Sequence, residues 1–319
     1  MLRVGFLLAG VVLFVYLALE LGPDSILSLL RQIGWSILVV CLVYGVYILL
    51  RAAALHQCVL KREGLAYRHI LGIHFSGEAV KNLTFGGTLF SEPFKAVLLK
   101  RSGLQTSGAF AATLTESLAH ITVSAALALI ALTYVVRHMD LGDALEDGAR
   151  IIILVVAAFL LHSFLTGWFR LHWAGNITNA VARLHWLPRR ITPDATVVYK
   201  VEDVLFSIVR QKPKRCVGII VIELLAQCVL VFELFLILTF LNLHFPLSYP
   251  FLIEAAAKFI RVAFFFLPLQ IGAAEGVFSV LFEAFGLLSA AGFTFSVVRR
   301  LRSLVTSGVG LFTIWHLTK

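Results

Sequence analysis

Five residues in one apolar stretch have the means to do chemistry inside a membrane. The block 253–285, IEAAAKFIRVAFFFLPLQIGAAEGVFSVLFEAF, carries Glu254, Lys258, Arg261, Glu275 and Glu283, and the run Pro268-Leu269-Gln270-Ile271-Gly272 interrupts it. An ionisable side chain at the centre of a bilayer costs about 2.5–3.5 kcal/mol even on mild scales, so such groups persist mainly where they line a cavity or a pathway. Lys258 and Arg261 supply positive charge, and a guanidinium can grip a phosphate through two parallel hydrogen bonds. A helix restarting after Gly272 would direct unpaired N–H groups and the positive end of its dipole toward the same place, with Gln270 in the break beside it. Glu275, one turn into that helix, is suited to pair with Arg261 or Arg299, or to bind a cationic headgroup.

A second constellation lies in the moderately apolar stretch 70–99. Glu78, Lys81, Asn82, Glu92 and Lys95 surround Gly86-Gly87. Two adjacent glycines weaken a helix interior by about 1 kcal/mol each, so two short helices meeting at a glycine loop are predicted rather than one continuous span. His74, Glu78 and Lys81 stand at i, i+4 and i+7 before this loop; Glu254, Lys258 and Arg261 repeat the spacing before the second. Each set occupies a single helical face.

The elements that must position these groups follow from composition. The chain has 319 residues, 60% of them apolar and only 14% charged, with a mean hydropathy of +0.93. These values indicate a membrane protein of a single integral domain over 1–319. The net charge of +9 is assigned to cytoplasmic loops facing anionic headgroups, and nucleic acid is excluded as a partner for want of a recognisable binding module. Cys41, Cys58, Cys216 and Cys228 show neither CxxC nor zinc-ligand spacing, so no redox or metal role is expected.

Spans are predicted at 4–21, 35–55, 109–136, 151–169, 217–243 and 293–315, with re-entrant hairpins at 70–99 and over the second broken block. The first is read as a retained helix rather than a cleaved signal peptide. Arg51 is taken as the cytoplasmic end of the second span, followed by Lys61, Arg62 and Arg68. The third span carries Glu116 and His120 at i, i+4. Residues 170–215 hold nine Lys/Arg against three Asp/Glu together with Trp173 and Trp186, the pattern of a basic segment lying on cytoplasmic headgroups. Both termini are placed in the cytoplasm. The fold class is all-α: a polytopic transmembrane bundle with two glycine-interrupted hairpins. Each half, 1–136 and 149–319, reads as two spans, a broken hairpin and a third span in opposite orientation, which is the pattern of an inverted repeat with a polar site near the midplane.

Three motifs resemble a known family. The stretch LPLQIGAAEG at 267–276 resembles the proline, glycine, glutamate signature of the transmembrane region of lysylphosphatidylglycerol synthases and their stand-alone flippase-like relatives. NLTFGGTLFSEPFK at 82–95 resembles that family's earlier motif, and Val298-Arg299-Arg300-Leu301 is similar to its arginine near the start of the last span. Thr84, where many relatives have proline, and Ala273-Ala274, where a glycine-richer run is usual, depart from the pattern. The resemblance implies a lipid-handling protein of the bacterial inner membrane that moves a headgroup-bearing lipid between leaflets, without the soluble aminoacyl-transfer domain.

The site expected on these grounds comprises Lys258, Arg261, Gln270, Gly272, Glu275, Asn82, Gly86, Gly87, Glu92, Lys95 and Arg299. Its ligand is a phospho- or polyprenyl-phosphate-type headgroup, with no cofactor, no enzymatic activity and a lipid-biosynthesis protein as possible partner. Glu275 and Glu116 are the candidates for proton coupling. Two alternatives stand beside the carrier: a non-transporting scaffold or accessory subunit, and an intramembrane lipid transferase using Glu275 or Glu92 as base.

Overall fold

A computed structural model describes residues 12–59, 65–84, 86–138, 143–182, 195–211, 213–264 and 270–318; the side chains of 88, 143–145, 182, 208–211, 260–263 and 318 lie outside the description. The described residues are all helix and connection, without a strand. The expectations placed on residues 4–11, Lys61, Arg62, Trp186, Pro268 and Leu269 fall outside the described residues, as does the side chain of Arg261.

The chain enters through α1 (Val12–Glu20) and turns by 92° into α2 (Pro23–Ile33). Gly22 at φ 85° makes the corner, and Pro23 starts α2 where its missing N–H costs nothing. Between the first two predicted spans, therefore, lies a short amphipathic helix that buries Ile26 and Ile33. Then come α3 (Ser36–Cys58), the pair α4 (Tyr67–Leu83) and α5 (Gly87–Arg101), α6 (Thr106–His138) and α7 (Asp143–Phe169). The second half continues with α8 (Trp173–Ala182), α9 (Ala195–Gln211), α10 (Pro213–Phe240), α11 (Tyr249–Ala263), α12 (Ala273–Ala284) and α13 (Ser289–Thr318).

Length and apolar composition qualify four of these to cross a membrane: α3, α6, α10 and, within α7, Glu146–Phe169; the bent pair α1–α2 makes a fifth if taken as one span. The last predicted span lies in α13, which has 30 residues but carries Arg299, Arg300 and Arg302 and is not among the four. Where α13 buries its polar groups, they meet protein partners instead of lipid.

The glycine pair at 86–87 breaks the chain into two helices as the sequence predicts. Gly86 sits in the left-handed region at φ 65°, and a side chain on Gly87 would run into the carbonyl of Lys81. The resulting hairpin is closed by packing of α4 on α5, and α4 also lies along α13. α13 packs on α12 as well, so one helix touches both the first hairpin and the helix that follows the second break.

Of four apolar cores among the described residues, the two larger hold most of the bundle. One gathers Leu234, Ile237, Ile253, Phe278, Phe282 and Phe295 from α10 to α13. The other gathers Leu55, Ile70, Ile73, Leu99, Ala112 and Ile219 around the first hairpin. The apolar window of α7 has no buried residue; Ile151, Leu154, Leu161 and Phe164 remain exposed, as expected of a helix facing hydrocarbon.

The basic segment after α7 forms α8 and α9. Glu202 of α9 accepts the backbone N–H groups of Ala174 and Gly175 at 2.9 and 3.1 Å, satisfying two otherwise orphaned donors at the start of α8. Glu202→Ala is expected to weaken the α8–α9 pair by about 1 kcal/mol, the usual worth of a helix cap. Faster amide exchange at Ala174 and Gly175 is the readout.

Candidate functional site

Among the described residues, charged side chains from seven helices meet in the interior of the bundle. Arg51 of α3 is the first node: its guanidinium lies 2.5 Å from Glu116 of α6 and 3.0 Å from Glu223 of α10. Arg51 is not the interfacial end of its helix, as the sequence suggests; α3 runs on for two more turns to Cys58, which carries Arg51 inside to 6% exposure. Lys95 of α5 reaches the same carboxylate, with its ammonium 3.0 Å from Glu116 and 2.9 Å from Glu92. Its aliphatic stem lies across Gly77 of α4, where a Cβ would come within 2.7 Å of it. Glu116 and Glu223 are fully buried, so each depends on these cations to offset the loss of water.

From Glu223 the polar track continues along α6 and α10. His120 Nδ1 is 2.9 Å from Glu223, and Gln227 bridges onward: its amide nitrogen lies 3.2 Å from His120 Nδ1 and donates to Ser124 at 2.9 Å. Lys258 of α11 donates to the Gln227 carbonyl at 2.5 Å and to Glu254 at 3.3 Å. Glu254 also accepts from Arg299 of α13. Arg299 lies 3.9 Å from Glu233 of α10, which Arg302 holds with its own guanidinium.

Arg302 stacks on the Tyr44 ring, 3.6 Å from its centroid, and Tyr44 donates to Glu78 at 3.4 Å. Glu78 pairs with Lys81 on α4. The track thus starts on α5, passes through α3, α6, α10, α11 and α13, and returns to α4 of the same hairpin.

A separate node orders the start of α12. Glu275 accepts the backbone N–H of Gly272 at 2.8 Å, receives the hydroxyl of Ser296 at 3.2 Å and pairs with Arg300. The carboxylate thereby fills the positive end of its own helix dipole. Of the arginines in α13, it is Arg300 that Glu275 meets, whereas Arg299 belongs to Glu254.

Among the described residues a cleft opens in the wall of the bundle. Leu127 of α6, Gln227 and Val231 of α10, and Phe251, Glu254, Ala255 and Lys258 of α11 line this shallow cleft of about 10 Å³, room for a single water molecule, which is partly open to the outside. The Gln227–Lys258–Glu254 stretch of the track forms its floor at the middle of α10, and the surface exposed inside it is apolar, with the polar ends of these side chains turned to one another. No residue of the first hairpin contributes to the lining.

The residues singled out from sequence thus divide. Lys258, Glu92, Lys95 and Arg299 lie on the track; Gly272 and Glu275 form the α12 node. Asn82 donates to Ser307 of α13 at 3.2 Å, Gly86 and Gly87 make the first turn, and Gln270 stands at φ 52° just before α12. Arg51, Gln227, Glu233 and Arg302 are not among the site residues expected from sequence, although Arg51, Gln227 and Glu233 are isolated polar residues in apolar helices. That isolation was the available signal.

A family model described as lysylphosphatidylglycerol synthase TM region matches residues 2–310 of the chain. No curated protein and no solved structure matches it.

Proposed function

We propose that this chain, an integral membrane protein that belongs to the lysylphosphatidylglycerol synthase TM-region family, carries the phosphate-bearing headgroup of a membrane lipid between leaflets and catalyses no bond change. The observation that supports this reading is the cleft at the middle of α10. There the buried polar track reaches an opening with apolar sides. A lipid entering sideways would place its phosphate against Lys258 while its tails stay in hydrocarbon.

The charges on the track are suited to exchange partners. A phosphate at Lys258 competes with Glu254 for the same ammonium, and Glu254 keeps Arg299 as its alternative partner. Such an exchange moves charge-assisted bonds along the track without leaving an ion bare, which a low-dielectric interior requires. Passage of a whole headgroup needs the cleft to widen, and α11 is the wall that carries both Glu254 and Lys258. On this reading Arg261 of α11 and the glycine loops stay within the carrier pathway. The protein sits in the bacterial inner membrane with both termini cytoplasmic, according to the positive-inside distribution of basic residues.

A second reading, a scaffold that binds lipid or a partner protein without transport, is favoured by the pairing itself. Arg51, Lys95, Arg299, Arg300 and Arg302 each have a carboxylate partner in place, as a fixed structural network would.

Mass spectrometry of lipids retained after gentle purification separates the two, followed by leaflet transfer in proteoliposomes. The wild type is expected to enrich one phosphate-bearing lipid and to transfer it, and Lys258→Gln is expected to lose both while Arg150→Gln keeps them. Retained lipids that mirror the bulk membrane in all three proteins, with no transfer, would favour the scaffold. A lipid returned chemically altered would favour the transferase.

A further inference from the structure

The track contains one atom whose two neighbours make incompatible demands. His120 Nδ1 lies 2.9 Å from a Glu223 carboxylate oxygen and 3.2 Å from the Gln227 amide nitrogen. The orientation of Gln227 follows from its other end. Lys258, 2.5 Å away, can only donate, so the atom it faces is the Gln227 carbonyl and the amide NH₂ must point to His120 and Ser124.

A protonated Nδ1 donates to Glu223 and sets N–H against N–H at Gln227. An unprotonated Nδ1, with the ring's remaining proton on Nε2, accepts from Gln227; its lone pair repels ionised Glu223, so the ring moves toward Gln227 and Arg51, 3.0 Å from Glu223, alone holds that charge. The position of one proton therefore decides whether Gln227 is drawn to His120 or released from it. Gln227 is in turn a floor residue of the cleft and the acceptor of Lys258.

We infer that the His120–Glu223 pair is a proton-binding site whose occupancy sets the position of Gln227 and, through it, of Lys258. On uptake a proton from water forms the Nδ1–H bond, the imidazole gains one positive charge, and Glu223 accepts the new hydrogen bond. Release reverses each step. The charges that face this site come from three other helices as well as its own: Arg51 and the thiol of Cys58 on α3, Lys95 on α5 and Glu116 on α6 around Glu223, with Lys258 and Glu254 of α11 beyond Gln227. Arg51 stays between Glu116 and Glu223 in both states, so proton movement redirects the Gln227 end of the track. The consequence for ligand binding, a proton-linked headgroup affinity, rests on the carrier reading above; the proton site itself does not.

The test is nuclear magnetic resonance of ¹⁵N-histidine-labelled full-length protein in phosphatidylcholine nanodiscs, with the His120 ring signals assigned by their loss in His120→Gln. Should that variant not fold, the perturbation caused by Ser124→Ala makes the assignment. His120 Nδ1 is expected to pass from protonated to unprotonated between mildly acidic and mildly alkaline buffer, and Glu223→Gln is expected to displace that transition. A His120 signal that stays constant over this interval, or a transition unmoved by Glu223→Gln, would overturn the site.

Binding of phosphatidylglycerol added to the same discs is the second arm. Its affinity is expected to change about tenfold over the interval, within the usual range of coupling between sites, and Gln227→Met is expected to abolish the change while leaving the His120 transition. If phosphatidylglycerol binds at no pH while His120 titrates, the proton site stands and the lipid reading fails. If it binds with the same affinity throughout, the coupling is overturned.

Discussion

Replacing Arg51 by methionine is expected to destabilise the protein by about 3–5 kcal/mol, the cost of stranding buried partners when one member of an ion cluster is removed. Arg51 contacts Glu116 and Glu223 from 2.5 and 3.0 Å, and both carboxylates are fully buried. Without it, Lys95 still neutralises Glu116, but among the described residues Glu223 keeps only His120 within ion-pairing reach. Dispersion lost from the arginine stem is small beside this, because methionine restores most of the volume.

The cause can be separated from the effect. The triple variant Arg51→Met, Glu116→Gln, Glu223→Gln removes the charges together and is expected to recover most of the loss, since neutral isosteres of a buried cluster are often tolerated. Arg150→Met, whose side chain is 60% exposed and pairs only with acidic neighbours on its own helix, is expected to stay within about 0.5 kcal/mol of wild type. Reversible unfolding in mixed micelles measures all three. A single Arg51→Met variant as stable as Arg150→Met would mean that the cluster is hydrated enough to leave carboxylates unpaired.

Two glycines on opposite faces of α13 should respond with opposite sign. A Cβ on Gly310 would collide with the carbonyl of Phe75 on α4 and come 2.7 Å from the Ala79 methyl. Backbone cannot yield as a side-chain tip can, so Gly310→Ala must push α4 from α13. It is expected to cost about 1–3 kcal/mol, as overpacking does. Two contacts sit on the same seam: Ser76 with Thr313 at 3.0 Å, and Asn82 with Ser307 at 3.2 Å. Both are expected to lengthen, and the hairpin that carries Glu78, Lys81, Glu92 and Lys95 shifts with them.

Gly308, two positions earlier in α13, has open space where its Cβ would stand. There alanine removes only the entropic cost of a helical glycine and should stabilise by about 0.5–1 kcal/mol. Equal effects at the two positions would show that α4 and α13 are not in close contact in the bilayer.

Much of the architecture was legible because it depends on local properties. Helical spans follow from apolar length, and the breaks at Gly86-Gly87 and Gly272 follow from residues that cannot continue a helix cheaply. Hence the order of helices and the position of the first hairpin match the reading from sequence, with α2 added because eleven amphipathic residues between two spans are easily taken for a loop. The same local logic misled at Arg51. A basic residue near the end of an apolar run resembles an interfacial anchor, and only the continuation of α3 to Cys58 shows that it is inside.

What the sequence by itself determined is that this chain is a helical membrane protein with costly charges in its interior, because composition and helical period are carried by neighbouring residues. Which charge meets which was decided by the tertiary structure. Arg51 and Glu223 are 172 positions apart, Arg302 and Glu233 are 69, and Lys258 and Gln227 are 31. No spacing rule spans such separations. Two buried charges find each other only after apolar packing has set helix against helix, and the partner nearest at that moment is the one that offsets their desolvation. Glu275 joins Arg300 rather than Arg299 for that reason. Adjacent residues on α13 point to different neighbours, and the bundle, not the order of residues, supplies those neighbours.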